Sequence, residues 1–158
     1  MPDIAQGLAD AIGALASADD QLMELQVAPF MLVNPSPPAI DIFLGDPSQD
    51  FAGFEVGELG PANVQTFWTI RARVTTADDW SAQEILYMLA EPAGATSVRY
   101  AILYDDGLKD VTDALSVEGP SGFRLYQNAA PSSDLEHGGA LMGIEWRVLA
   151  LTKTGPTS

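Results

Sequence analysis

Phe67-Trp68-Thr69-Ile70-Arg71-Ala72-Arg73-Val74-Thr75 decides the fold of this chain. Trp68, Ile70, Ala72 and Val74 fall on one side of an extended backbone, and Phe67, Thr69, Arg71 and Arg73 on the other. That is the two-residue period of a β-strand with one face against a core. The face carrying Phe67, Arg71 and Arg73 is then either open to solvent or offered to a partner that carries acids.

Toward the N-terminus, residues 46 to 63 are rich in Gly and contain Pro47, Pro61, Asp46, Asp50, Glu55 and Glu58. They hold no basic residue, and Phe51 and Phe54 are their only aromatics. At about 18 residues this segment exceeds the usual connection of roughly 4 to 6, so it reads as a projecting arm or a hairpin outside the core. Before it, Ile40, Ile42 and Leu44 alternate with Asp41 and Phe43, the pattern of a half-buried strand. Pro35, Pro37 and Pro38 exclude helix just upstream, and Leu25 to Val33 reads as extended chain interrupted by Pro29. Ile4, Leu8, Ala11, Ile12 and Leu15 recur at helical spacing, with Asp3 placed to cap, and predict an amphipathic helix over 3 to 16.

Toward the C-terminus, Asp78-Asp79 and Ser81 with Glu84 precede Ala82, Ile85, Leu86 and Leu89, a helix that ends near Glu91-Pro92. Ser97 caps a short helix over Val98 to Tyr104, stopped by Asp105-Asp106-Gly107. Residues 111 to 118 and 122 to 128 read as two strands of a hairpin turning at Gly119-Pro120-Ser121-Gly122. Met142, Ile144, Trp146 and Val148 alternate with Gly143, Glu145, Arg147 and Leu149 in a final strand. The expected fold class is α+β: a mixed or antiparallel sheet with an N-terminal helix and one or two further helices packed on one face. The expected organisation is a single domain over residues 1 to 153 with a loose tail at 154 to 158.

The 158 residues carry 47% hydrophobic and 18% charged side chains, a composition that folds around a core. Seven basic residues against 22 acids give a net charge of -15, which opposes any extended grip on nucleic-acid phosphates. Such acidity also serves solubility or salt tolerance on its own. The chain has no cysteine, so disulfides and thiolate chemistry are excluded. Its first fifteen residues lack a basic start, and no apolar run approaches a membrane span, so neither a secretory signal nor a membrane segment is expected.

Motifs for chemistry are sparse. His137 is the sole histidine and lies in a polar stretch, ordinary for a surface residue. Gly119-Pro120-Ser121-Gly122 is one position short of a nucleophile elbow. Tyr104-Asp105-Asp106-Gly107 lacks the alternating acids and terminal Glu of a calcium loop. No phosphate-binding glycine loop is present. No catalytic, cofactor-binding or metal-binding residue, and no cofactor, is therefore expected.

Several local sequences, in this order, resemble the tail terminator proteins of long-tailed (siphovirus-type) bacteriophages. They are the opening helix, Leu25-Gln26-Val27-Ala28-Pro29-Phe30, Pro37-Pro38-Ala39-Ile40, Phe67 to Val74, Ala82-Gln83-Glu84-Ile85-Leu86, Ser97 to Leu103, and Leu141 to Val148. The resemblance implies a virion protein made in the host cytoplasm. It implies a homo-oligomer, usually a six-copy ring, that caps the tail tube and joins it to the head-tail connector while DNA passes without specific binding. Under it, Phe51, Phe54, Phe67, Arg71 and Arg73 are interface candidates, and Asp46, Asp50, Glu55 and Glu58 are acids of the arm or the lumen. A neck or head-completion protein of the same virion is the nearest alternative. A small acidic enzyme or ligand-binding domain is the alternative from another class.

Overall fold

The computed structural model describes residues 2–45, 54–56, 63–75, 80–127 and 140–153. Helix α1 (Pro2–Gly13) runs into a 3₁₀ turn at Ala14–Ser17, and a second 3₁₀ turn at Asp20–Leu22 begins where Asp19 accepts from the Gln21 amide. The strands are β1 (Gln26–Ala28), β2 (Ala39–Leu44), β3 (Phe54–Val56) and β4 (Asn63–Thr75), followed later by β5 (Ala114–Glu118), β6 (Arg124–Gln127) and β7 (Ala140–Lys153). Between β4 and β5 come α2 (Trp80–Ala90), α3 (Val98–Leu103) and α4 (Asp106–Val111).

The seven strands form one sheet in the order β1-β2-β4-β7-β5, with β3 also on β4 and β6 also on β7. Among the described residues only β1 and β2 pair in parallel and the other pairs are antiparallel, so the class is the mixed α+β arrangement that the alternation predicts. Strands β4 and β7 pair along their whole length, from Asn63 opposite Lys153 to Thr75 opposite Leu141. Each then carries two short strands end to end on its outer edge.

Ile40, Ile42, Trp68, Ile70, Ala72, Val74, Ile144, Trp146 and Val148 turn to one face of the sheet. There they join one apolar cluster with Ile4, Leu8 and Ile12 of α1, Leu86 and Leu89 of α2, Ile102 of α3 and Leu108 of α4. Burying a side chain of this size is worth about 1.5–3 kcal/mol, so the helices are held to the sheet mainly by this stripe.

Two expectations need correction, the first and fourth below, and two are sharpened. Residues 111 to 118 and 122 to 128 do not form a hairpin: β5 and β6 both pair antiparallel with β7, so they run in the same direction along one edge. Glu118 stands opposite Arg147 and Arg124 opposite Gly143, so five residues, 119–123, face three, 144–146. The Gly-Pro-Ser-Gly sequence is thus a bulge of two extra residues in a single interrupted edge strand. Ser121 bridges the break, its amide donating to the Glu145 carbonyl and its hydroxyl accepting from the Glu145 amide, at 2.8 and 3.0 Å.

Second, Asp105 does not only stop a helix; its carboxylate accepts from the Leu108 amide and starts α4. Third, of the arm or hairpin expected at 46 to 63, the hairpin is what the described residues support: β3 pairs antiparallel with the start of β4 at Asn63. Fourth, β2 is not half-buried. Asp41 is fully buried and Phe43 nearly so, although both point away from the helices.

Candidate functional site

The face of the sheet away from the helices is built around Asp41. Registry places Asp41 of β2, Arg71 of β4 and Glu145 of β7 in one row across three strands. Arg71 clasps Asp41 at both oxygens, Nε–Oδ1 at 3.0 Å and Nη2–Oδ2 at 2.6 Å. Arg73 Nη2 reaches Asp41 Oδ2 at 3.1 Å and the Leu32 carbonyl at 3.0 Å, while the Leu32 amide donates to Oδ2 at 2.8 Å. The chain after β1 therefore crosses this face and seals the carboxylate, which a buried charge requires.

Arg73 is only 4% exposed and Arg71 15%. Burial pulls the Arg73 pKa below its ordinary value, opposed by the Asp41 charge and assisted by Arg71. Its Nε is buried with no hydrogen-bond partner among the described residues. The Arg71 guanidinium carbon lies 5.0 Å from the centre of the Phe43 ring and 5.5 Å from that of Tyr126, within cation–π range.

Tyr126 donates a short hydrogen bond to Glu145 Oε2, and Arg124 reaches Oε1 at 3.4 Å. Burial first, then this bond and the Glu145 charge, raise the Tyr126 phenol well above its ordinary value. Beside it, Thr69, Ser121, Glu145 and Arg147 line a shallow open depression of about 170 Å³. That is below the roughly 300–1,000 Å³ of small-molecule sites. Among the described residues no three His, Cys, Asp or Glu side chains are grouped to hold a metal ion.

Of the residues singled out from sequence, Phe67, Arg71 and Arg73 share this face, as the alternation requires, with Phe67 half-buried. The acid that meets the two arginines belongs to the same chain, so their guanidiniums form an internal lock rather than an exposed cationic face. Phe54 and Glu55 lie in β3, whose backbone pairs with β4. Phe51, Asp46, Asp50, Glu58 and His137 lie outside the described residues.

Two exposed apolar patches escaped the sequence reading. At the β6 edge, Trp80 and Tyr87 of α2 lie 5.8 Å apart between ring centres, and Tyr87 meets Phe123 edge-on at 5.5 Å. Leu125, 75% exposed, lies two residues along the same edge. Met23 before β1, and Phe30, Met31 and Val33 in the stretch that crosses over Asp41, are exposed as well. The available signal was the seven-residue spacing of Trp80 and Tyr87, which puts both on one helix stripe, away from the buried Ala82, Leu86 and Leu89.

No protein-family model matches the chain, and no curated protein does.

Proposed function

We propose that this protein is a structural virion subunit of the tail terminator type, a ring that caps a phage tail tube and joins it to the head connector. One observation carries the reading beyond the resemblance of its sequence. Among the described residues Arg71, Arg73, Lys109 and Arg124 are each ion-paired to acids of their own chain. Asp19, Asp20, Glu24, Glu91, Asp110 and Glu118, by contrast, are exposed and belong to none of these pairs, so the described surface is predominantly negative. A ring of such subunits would present walls from which DNA phosphates are repelled, so DNA would slide through without sticking.

The test is location. Antibody-gold labelling of assembled particles should mark the junction between tail tube and connector. Label on the head side of the connector would favour a neck or head-completion protein, and absence from the particle would remove the virion role. In the same phage, Phe51→Ser with Phe54→Ser should leave a folded subunit that no longer completes tails; normal tails would take the arm out of the assembly surface.

A further inference from the structure

We infer that residues 29–34 are a displaceable strap over a carboxylate site formed by Arg71 and Arg73, in which the Leu32 carbonyl stands where a ligand's carboxylate would bind. Among the described residues Leu32 alone ties this stretch to the sheet by hydrogen bonds. Its amide donates to Asp41 Oδ2 at 2.8 Å, and its carbonyl accepts from Arg73 Nη2 at 3.0 Å and Arg71 Nη2 at 3.5 Å. The side chains that could hold the strap down by burial do not, since Phe30, Met31 and Val33 are exposed. Its two ends are fixed, one by β1 at Ala28 and the other by buried Pro35 and the Ser36 amide, which donates to Gln26 Oε1 at 3.2 Å. A stretch with firm ends, one point of attachment and few buried contacts opens as a loop while the strands beneath stay paired.

The arginines beneath the strap are not fully satisfied. Arg73 Nε is buried without a hydrogen-bond partner among the described residues, on a side chain only 4% exposed. A guanidinium presents Nε and Nη2 side by side, and this is the edge with which Arg71 clasps both oxygens of Asp41. The Leu32 carbonyl brings Arg73 one oxygen, whereas a carboxylate brings two, one for Nη2 and one for the idle Nε. Charge points the same way. Arg71 and Arg73 share the single carboxylate of Asp41, because Glu145, next in the row, is taken by Tyr126 and Arg124. One positive charge of the pair thus lacks an anion of its own, and a neutral carbonyl cannot supply it. Asp41 keeps its place in the exchange; only the Leu32 carbonyl leaves. The ligand is a carboxylate, free or at the end of a peptide chain, and the site does not depend on the tail role.

The test follows the Arg73 Nε proton and the Leu32 amide by nuclear magnetic resonance while acetate, or acetyl-trialanine with a free C-terminus, replaces chloride at equal ionic strength. Binding should move the Nε proton downfield as it gains an acceptor and should speed exchange of the Leu32 amide, with the Ile70 amide in β4 unchanged. A response to acetate makes a free carboxylate sufficient, and a response to the peptide alone assigns the ligand to a chain end. The C-terminal amide of acetyl-trialanine should give neither change. Leu32→Pro removes the amide tie to Asp41, and Pro29→Gly loosens the strap without touching its ties. Each should bind at least about tenfold more tightly than the parent chain, because less of the site is covered before the ligand arrives. Circular dichroism checks that each variant folds, and Pro29→Gly carries the comparison if Leu32→Pro does not. An Nε proton that stays in place in every folded protein overturns the proposal. Equal affinity in parent and variants, or an equal response to the amidated peptide, overturns it as well.

Discussion

Asp41 and Arg71 stand directly opposite each other on β2 and β4, and the guanidinium meets both carboxylate oxygens. Because Arg73 shares Oδ2 and is itself buried, Asp41 holds two cations in place at once. Asp41→Asn should therefore destabilise the fold by about 3–5 kcal/mol, the effect of leaving buried charge uncompensated. A urea midpoint measures it. The triple variant Asp41→Leu with Arg71→Met and Arg73→Met should recover most of that loss, since an apolar set has no charge to desolvate. A loss below about 1 kcal/mol for Asp41→Asn would rank the pair with surface salt bridges.

Gly143 lies where three strands crowd together. A Cβ there would drive into the Ala72 carbonyl oxygen and come within 2.9 Å of the Tyr126 ring. Gly143→Ala should cost at least about 3 kcal/mol, at the upper end of overpacking effects, because backbone on β4 must move. Gly119, at φ +112, where an added Cβ would come within 2.9 Å of the Glu145 carbonyl oxygen, should cost about 1–3 kcal/mol as alanine. Thermal melts of the two variants should rank in that order.

The Tyr126 phenol titrates above its ordinary value of 10.0 in the folded protein. Its raised value stabilises the fold fully below about pH 10, where the phenol is protonated folded and unfolded alike. That contribution is lost as pH rises from there through the folded value. Stability should thus fall on the alkaline side, and Tyr126→Phe should flatten the fall while losing about 1.5–3 kcal/mol at neutral pH with the bond to Glu145. An unchanged alkaline slope in the Phe variant would assign the titration elsewhere.

Asp105 begins α4 by accepting from the Leu108 amide at 2.8 Å, and Leu108 is fully buried among the helices. Asp105→Ala should cost about 1 kcal/mol. For a chain of this size that is a fall of roughly 2–4 °C in Tm. Asp105→Asn should keep most of the cap, which separates capping from charge.

What the sequence made legible was periodic. The buried alternation in β4 and β7, the helical spacing of Ile4, Leu8 and Ile12, and the Ser97 cap all reported local geometry, and each element was found. What it hid depended on partners distant in the chain. Asp41 looked like the outward residue of a half-buried strand because its arginines lie about thirty residues on. Gly119-Pro120-Ser121-Gly122 looked like a turn because a turn and a bulge use the same residues, and only the β7 register tells them apart. Asp105-Asp106-Gly107 looked like a terminus because an acid that ends one helix caps the next equally well. The Asp41 lock needed both strand registers, and neither can be read from residues 39 to 44 alone.

The interrupted β5–β6 edge also bears on what happens when many copies are crowded together. An open sheet margin is a template for further strands, and unchecked it leads to fibrous aggregates. Here the row of backbone donors is broken by Pro120, which has none, and by Ser121, whose amide turns inward to Glu145. An incoming strand would find no continuous line to zip onto. A second copy approaching this margin would meet side chains rather than a continuous backbone ladder, so the edge is protected against fibre growth.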